Sequence, residues 1–202
     1  MSTSRRGYHH GDLRGSVLRA AGKLLEKQGV EGLKMRELAR RAKVSHNAPY
    51  RHFAERETLL AALAAEGFGL LGQAQREAAG TGGMRAMGEA YVRFALAHPQ
   101  RFRLMFGGQI SIARHPELRE VATRAFETLA GALAARVPEA QGARDSSIAA
   151  WALVHGLAQL LLGGRIPVAA KRGRDDAGFV RDVLASVRFV AGAVAGPAQP
   201  PA

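Results

Sequence analysis

Seven cations fall between Lys34 and Arg56 (Lys34, Arg36, Arg40, Arg41, Lys43, Arg51 and Arg56) against two acids, Glu37 and Glu55, a local excess of five positive charges. His46, Asn47, Tyr50 and His52 stand among them, and these side chains both donate and accept hydrogen bonds. Cations at this density attract a polyanion, and polar groups beside them can read what lies between its phosphates. The apolar residues of the segment are spaced for two short helices. Leu38, Ala39 and Ala42 share an inward face, Val44 plugs a tight turn, and Tyr50 and Phe53 anchor the second helix from behind. Ser45 is placed to cap that second helix. Two short helices joined in this way leave the second free to enter a major groove.

The whole chain carries the same sign. Its 202 residues hold 29 Lys plus Arg against 17 Asp plus Glu, a net charge of +12. That excess points to an anionic partner, nucleic acid first and a membrane surface second. Residues 1–66 carry +6 and the other 136 residues also +6, so the charge is about twice as dense in the first third. Cysteine is absent, which excludes disulfides, thiol catalysis and thiolate metal sites. No nucleophile elbow, H-E-x-x-H or phosphate loop in context is present, so no enzyme is expected. Gly67-Phe-Gly-Leu-Leu-Gly72 matches G-x-G-x-x-G, but it sits inside a helical stretch with no strand before it, and a dinucleotide site needs that strand. His9, His10 and Asp12 lack the spacing of a helical ligand pair, so no metal or cofactor is expected. Met1 to Arg14 is polar and basic, without the apolar run of a signal peptide. The most apolar stretch, Ile148 to Leu162, is interrupted by His155 and Gln159 and reads as too short to span a bilayer. A soluble, cytoplasmic protein is the expectation.

The elements that must position these residues read as helices with short breaks. Leu13, Val17, Ala20/Ala21 and Leu24/Leu25 form a stripe, which Gly29 closes in a left-handed C-terminal position. Short helices follow over 34–42 and from Ser45 to about Phe53, then a longer one from Glu55 to about Ala79. Gly80, Gly82 and Gly83 break the chain before a helix over 84–97 and a short one over 100–106. The pattern then predicts helices over 116–137, 144–162 and 175–195. About nine helices and no strand make an all-α fold.

At these residues the chain resembles the TetR-type transcriptional regulators. The likeness runs through Tyr8-His-His-Gly-Asp-Leu-Arg14, Met35-Arg-Glu-Leu-Ala-Arg-Arg-Ala42, Val44-Ser-His-Asn-Ala-Pro-Tyr-Arg-His-Phe53 and Glu57-Thr-Leu-Leu60. Trp151-Ala-Leu-Val-His-Gly156 is similar to a Trp…His-Gly signature of one subgroup. The resemblance implies an arm over 1–11, a helix-turn-helix DNA-binding domain over 12–54, an effector-binding and dimerisation domain over 55–196, and a tail over 197–202. It implies base reading by Arg36, His46 and Asn47, and a close approach of the backbone at Ala48. It implies phosphate contacts by Tyr50, Arg51, His52 and Arg56, with His46 and Asn47 opening the recognition helix and Ser45 among the DNA-binding residues. Lys34 and the arm residues Arg5 and Arg6 would add non-specific attraction. Two residues depart from the family pattern. Lys43 stands where relatives often carry glycine, at a cost of about 1 kcal/mol if it is left-handed. Pro49 removes one early hydrogen bond of the recognition helix.

Large adaptable apolar residues gather in the middle of the chain, and a cavity among helices lined by such side chains suits a small apolar ligand. The candidates are Met84, Met87, Tyr91, Phe94, Phe102, Met105, Phe106 and Phe126, joined by Trp151 and His155. His155 also reads as a hydrogen-bonded core or interface residue. Residues 148–162 are apolar nearly all round, and 179–194 carry a stripe through Val180, Val183/Leu184, Val187, Val190/Ala191 and Val194. The resemblance implies that these last two helices form a two-fold dimer interface, which would place two recognition helices on a palindromic operator in double-stranded DNA. The glycines at 67, 69 and 72 could let the linking helix bend when an effector binds. The reading is thus a ligand-responsive, sequence-specific repressor. A non-specific DNA-coating protein and a helical small-molecule binding protein are its alternatives.

Overall fold

The computed structural model describes residues 13–134 and 140–187. The arm, with Arg5, Arg6, His9, His10 and Asp12, lies outside the described residues, as do the tail over 197–202 and the stripe positions Val190, Ala191 and Val194. The described residues form nine α-helices and no strand. They are α1 (Leu13–Gln28), α2 (Met35–Arg41), α3 (Ala48–His52), α4 (Arg56–Ala97), α5 (Pro99–Phe106), α6 (Pro116–Ala134), α7 (Ala140–Leu162), α8 (Val168–Lys171) and α9 (Asp176–Ser186). A single 3-10 turn, Ile112–Arg114, precedes α6. That turn and α8 are too short to show a period in the sequence.

By packing, the chain forms two compact units, Met1–Gly72 with Phe94–Ala125, and Gln73–Arg93 with Phe126–Ala202. In the first, α2 and α3 pack on α1 and on each other, and α5 packs on α1. Val17, Ala21, Leu24, Leu25, Leu33 and Leu38 are wholly buried there. Arg101 of α5 is buried among them. Its Nη1 donates to Glu66 Oε2 at 2.7 Å and to the Leu63 carbonyl at 3.4 Å, and its Nε lies 3.9 Å from Glu26 Oε1. Glu26 in turn accepts the backbone N–H groups of Gln100 and Arg101, both at 3.3 Å, so a side chain of α1 caps the N-terminus of α5. Two glycines make room for this joint. A Cβ at Gly22 would stand 2.7 Å from Arg101 Nη2, and one at Gly67 would stand 2.6 Å from Met105 Sδ. Gly67 of the G-x-G-x-x-G stretch therefore lets α4 pack closely on α5.

The break read at Gly80, Gly82 and Gly83 narrows to one residue. Helix α4 runs on through Gly80 and Gly82, and only Gly83 leaves helical geometry, at φ 64° and ψ −149°. That conformation is open almost exclusively to glycine. In the second unit Met87, Leu129, Leu133 and Ala150 form a buried cluster from α4, α6 and α7. Asp175 accepts the Gly178 N–H at 2.8 Å and starts α9, which ends at Ser186 with Val187 extended; positions 188–195 of the expected helix lie outside the described residues. Phe179, Val180 and Leu184 of α9 are buried within the unit. Helix α7 is longer than the sequence suggested. It has 23 residues, and by length and composition its segment Arg144–Leu162 could cross a membrane. Ser147, Ala150, Val154, Leu157 and Ala158 are buried, however, so one face of α7 belongs to the core of this unit.

The end of α2 carries the main backbone strain of the helix-turn-helix. The Val44 N–H bonds to the Ala39 carbonyl at 3.1 Å and the Lys43 N–H to the Arg40 carbonyl at 3.2 Å, the paired bonds that close a helix through a left-handed residue. Lys43 occupies that position at φ 54°. Lys43→Gly should therefore raise stability by about 0.5–1 kcal/mol, the left-handed penalty less the extra entropy of an unfolded glycine. A chemical-denaturation midpoint that does not rise would refute the strain.

Candidate functional site

The helix-turn-helix is two-faced. Met35, Leu38 and Ala39 of α2 and Ala48, Pro49 and Phe53 at α3 are buried, Phe53 at 1% exposure. Arg14 lies over the Phe53 ring at 5.5 Å. The opposite face presents Lys34, Arg36, Lys43, Ser45, His46, Asn47, Tyr50, Arg51 and His52, none of them buried. The sequence reading of Tyr50 as a hydrophobic anchor is corrected: it is 47% exposed, and Pro49 with Phe53 holds α3 from behind. A five-residue helix leaves too little buried face for a second large ring. Ser45 does not cap α3 through its side chain. Its carbonyl accepts the Ala48 N–H at 2.9 Å, and Asn47 takes the N-cap place without a side-chain hydrogen bond. The Asn47 amide is thereby left for an outside partner. Ala48 is buried at 6% exposure, so its methyl faces the protein.

The cations of the segment are not equivalent. Arg40 grips both Glu37 oxygens at 2.8 Å, and Arg41 Nε donates to the same carboxylate at 2.7 Å. Those bonds, from Arg40 first and then Arg41, hold the Glu37 carboxyl down at about 2. Glu37 is therefore charged at any working pH and takes part of the positive field of α2. Arg56 donates from Nε to the Leu33 carbonyl at 3.2 Å and from Nη2 to the Val30 carbonyl, tying α4 to the turn before α2. Lys34, Arg36, Lys43 and Arg51 pair with no carboxylate among the described residues.

The residues read as an effector pocket fall into both units. Phe94, Phe102, Met105 and Phe106 belong to the first, where Phe102 and Phe106 have ring centroids 4.9 Å apart and Phe68 meets Phe106 at 5.2 Å. Met84, Met87, Tyr91, Phe126, Trp151 and His155 belong to the second. There Trp151 Nε1 donates to Tyr91 Oη at 3.2 Å, and Tyr91 Oη lies 2.9 Å from His155 Nδ1. His155 Nε2 lies 3.4 Å from Gln159 Nε2, so both ring nitrogens of His155 have a polar neighbour. Burial pushes the Tyr91 phenol up and the His155 imidazole below its ordinary 6.5. A lowered histidine means that the unfolded chain takes the proton first. The stability that neutral His155 contributes is full above 6.5 and is lost as the pH falls below it. Thermal melts from about pH 8 to about pH 5 should show wild type losing stability on the acid side relative to His155→Gln, with parallel curves at the alkaline end. Parallel curves throughout would remove the effect.

Of those ten residues, Met84 alone lines the cavity of about 220 Å³ in the second unit, whose described walls come from α4, α6, α7 and α9. Sequence spacing missed the rest of its lining because a core leucine and a cavity leucine have the same period. Among the described residues no group of three or more His, Cys, Asp or Glu could hold a metal ion.

Two family models match the chain, that for bacterial regulatory proteins of the tetR family over residues 17–63 and that for the tetracyclin repressor-like C-terminal domain over 84–186. A structure of a protein with unknown function from Rhodococcus sp. RHA1 is 33% identical, with TM-score 0.75, covering 90% of this chain and 96% of that one. The TetR family transcriptional regulator PfmR from Thermus thermophilus is 19% identical with TM-score 0.57, covering 84% and 94%. The multidrug binding protein EbrR complexed with ethidium is 22% identical with TM-score 0.61, covering 88% and 98%. At those last two identities the likeness is one of fold. No curated protein matches the chain.

Proposed function

The chain belongs to the TetR family of bacterial regulators, as a DNA-binding transcription regulator and not an enzyme, and from that premise we propose that it is a dimeric, cytoplasmic repressor released from a palindromic operator by a small apolar or amphipathic effector. The observation that carries the reading is the two-faced helix-turn-helix, with Phe53 and Pro49 inside and Arg36, His46, Asn47, Tyr50, Arg51 and His52 outside. Arg36 and Asn47 suit guanine and adenine edges, and Tyr50, Arg51 and His52 suit phosphates. Lys34 and Lys43 add non-specific attraction. Arg56 acts first on the protein, through the Val30 and Leu33 carbonyls.

A second copy of the chain would cover the apolar side of α7, where Ile148, Trp151 and Leu160 are 50%, 37% and 46% exposed. Helix α9 turns Phe179, Val180 and Leu184 inward and shows Arg181 and Asp182 outside, so α7 supplies most of the apolar contact. A dimer sets the distance between recognition helices, and an effector acts only by its differential affinity for the two spacings. That EbrR is a multidrug binding protein is consistent with an effector site on this fold. The test is selection of random-sequence duplexes by the purified protein at about 150 mM salt, where non-specific phosphate binding is weakened. An enriched palindrome is expected. Uniform recovery would favour a coating protein, and no recovery from ligand-free protein would favour a helical ligand-binding protein.

A further inference from the structure

We infer that the cavity between α4, α6, α7 and α9 is a binding site for a neutral, mostly apolar molecule bearing one carbonyl or hydroxyl group, which Gln75 recognises. Leu129, Leu133, Ala150, Val154 and Leu184 supply an apolar lining to a space of about 220 Å³. A space of about 150 Å³ lined by such side chains takes up benzene, so this one suits on the order of ten non-hydrogen atoms.

One wall residue does not belong in an apolar cavity. Gln75 is 3% exposed, and its amide has no hydrogen-bond partner among the described residues. No side-chain nitrogen or oxygen among those residues is both sealed from solvent and unpartnered, so the Gln75 amide keeps its access through the cavity that it lines. A buried amide without a partner is unfavourable, and leucine of similar volume would avoid that penalty. A ligand oxygen or hydroxyl meeting the amide removes it.

The charge of the ligand follows from the same wall. Arg85, the one charged lining residue among those described, has a side chain 60% exposed, and its Nε lies 3.6 Å from Glu89 Oε1. It sits at the mouth and already has a counter-charge. Among the described residues no ion lines the interior, so a charged head group carried in to Gln75 would meet no counter-ion from them and would be desolvated. A neutral polar group avoids that penalty.

The biological use of the site rests on the effector-responsive reading above, whereas the binding itself does not. The test is calorimetric titration of the full-length protein with nonan-2-one, and with nonanoate and nonylammonium as charged counterparts. Saturable ketone binding is expected, about tenfold or more tighter than either ion. Gln75→Leu should weaken the ketone about tenfold while raising the melting temperature of the unliganded protein, because it removes the unpartnered amide. Gln75→Met repeats the test should leucine misfold. Absence of saturable ketone binding, equal affinity for an ion, or unchanged affinity in both variants would overturn the assignment. Operator binding is measured in parallel. Ketone binding that leaves the operator complex intact would keep this site and sink the effector reading. Selective operator binding without ketone binding would do the reverse for the site and leave DNA recognition standing.

Discussion

Arg101→Met is expected to lower the stability of the first unit by about 3 kcal/mol, the usual loss when one partner of a buried ion pair is removed. Arg101 joins three helices: its own α5, α4 through Glu66 and the Leu63 carbonyl, and α1 through Glu26. Methionine keeps the aliphatic stem, which Gly67 makes room for, but leaves Glu66 without its cation and the Leu63 carbonyl without a donor. Glu66 is 35% exposed at its side chain, so it keeps some water and the loss stays near the lower end for buried pairs. Arg101→Lys restores charge but not the several directed N–H groups, and should recover only part of the loss. Denaturant unfolding followed by the fluorescence of a probe in the first unit reads the difference. A loss under about 1 kcal/mol for the methionine variant would show that the carboxylates are hydrated well enough to stand alone, and that apolar packing holds α5 on α1.

Arg36→Ala is expected to narrow the preference for the selected operator over a scrambled duplex by about tenfold to a hundredfold, the worth of a bidentate base contact. Arg51→Ala should instead weaken both duplexes alike and reduce the salt slope by about 1. The contrast relies on two arginines that are both exposed and unpaired with any carboxylate among the described residues, so neither change breaks an internal tie. Arg56 is a poor choice for the phosphate class, because its truncation also releases the Val30 and Leu33 carbonyls and would loosen the turn before α2. Arg40 is a poor choice as well, since Glu37 already holds it. Competition binding across a salt series separates the outcomes. Equal loss of discrimination from Arg36 and Arg51 would end the division into base-reading and phosphate-reading arginines.

Local order was legible wherever a short-range rule governs it. The stripe of Val17, Ala21, Leu24 and Leu25 repeats at helical spacing because one face of α1 must be buried, and all four are fully buried. Gly29 was readable as a left-handed terminator and stands at φ 68°. The family resemblance, not a local rule, marked Lys43 as standing where relatives often carry glycine, and it is left-handed at φ 54°. Spacing could not say which aromatic of the recognition helix turns inward. Tyr50 and Phe53 are both amphipathic-helix residues by position, and only the packing of α3 on α1 and α2 selects Phe53.

Periodicity, terminators and charge were enough for the all-α class, the helix-turn-helix and the basic face at its outer side, because each acts over a few residues. Which cations remain open depends on the folded chain, since Glu37 and two backbone carbonyls claim Arg40, Arg41 and Arg56. So do the burial of Arg101 as a joint and the place of Gln75 in a cavity wall, which require helices far apart in the chain. A buried arginine and a buried glutamine look like surface residues until the helices that enclose them are in place, since burial is a property of neighbours that sequence spacing does not encode.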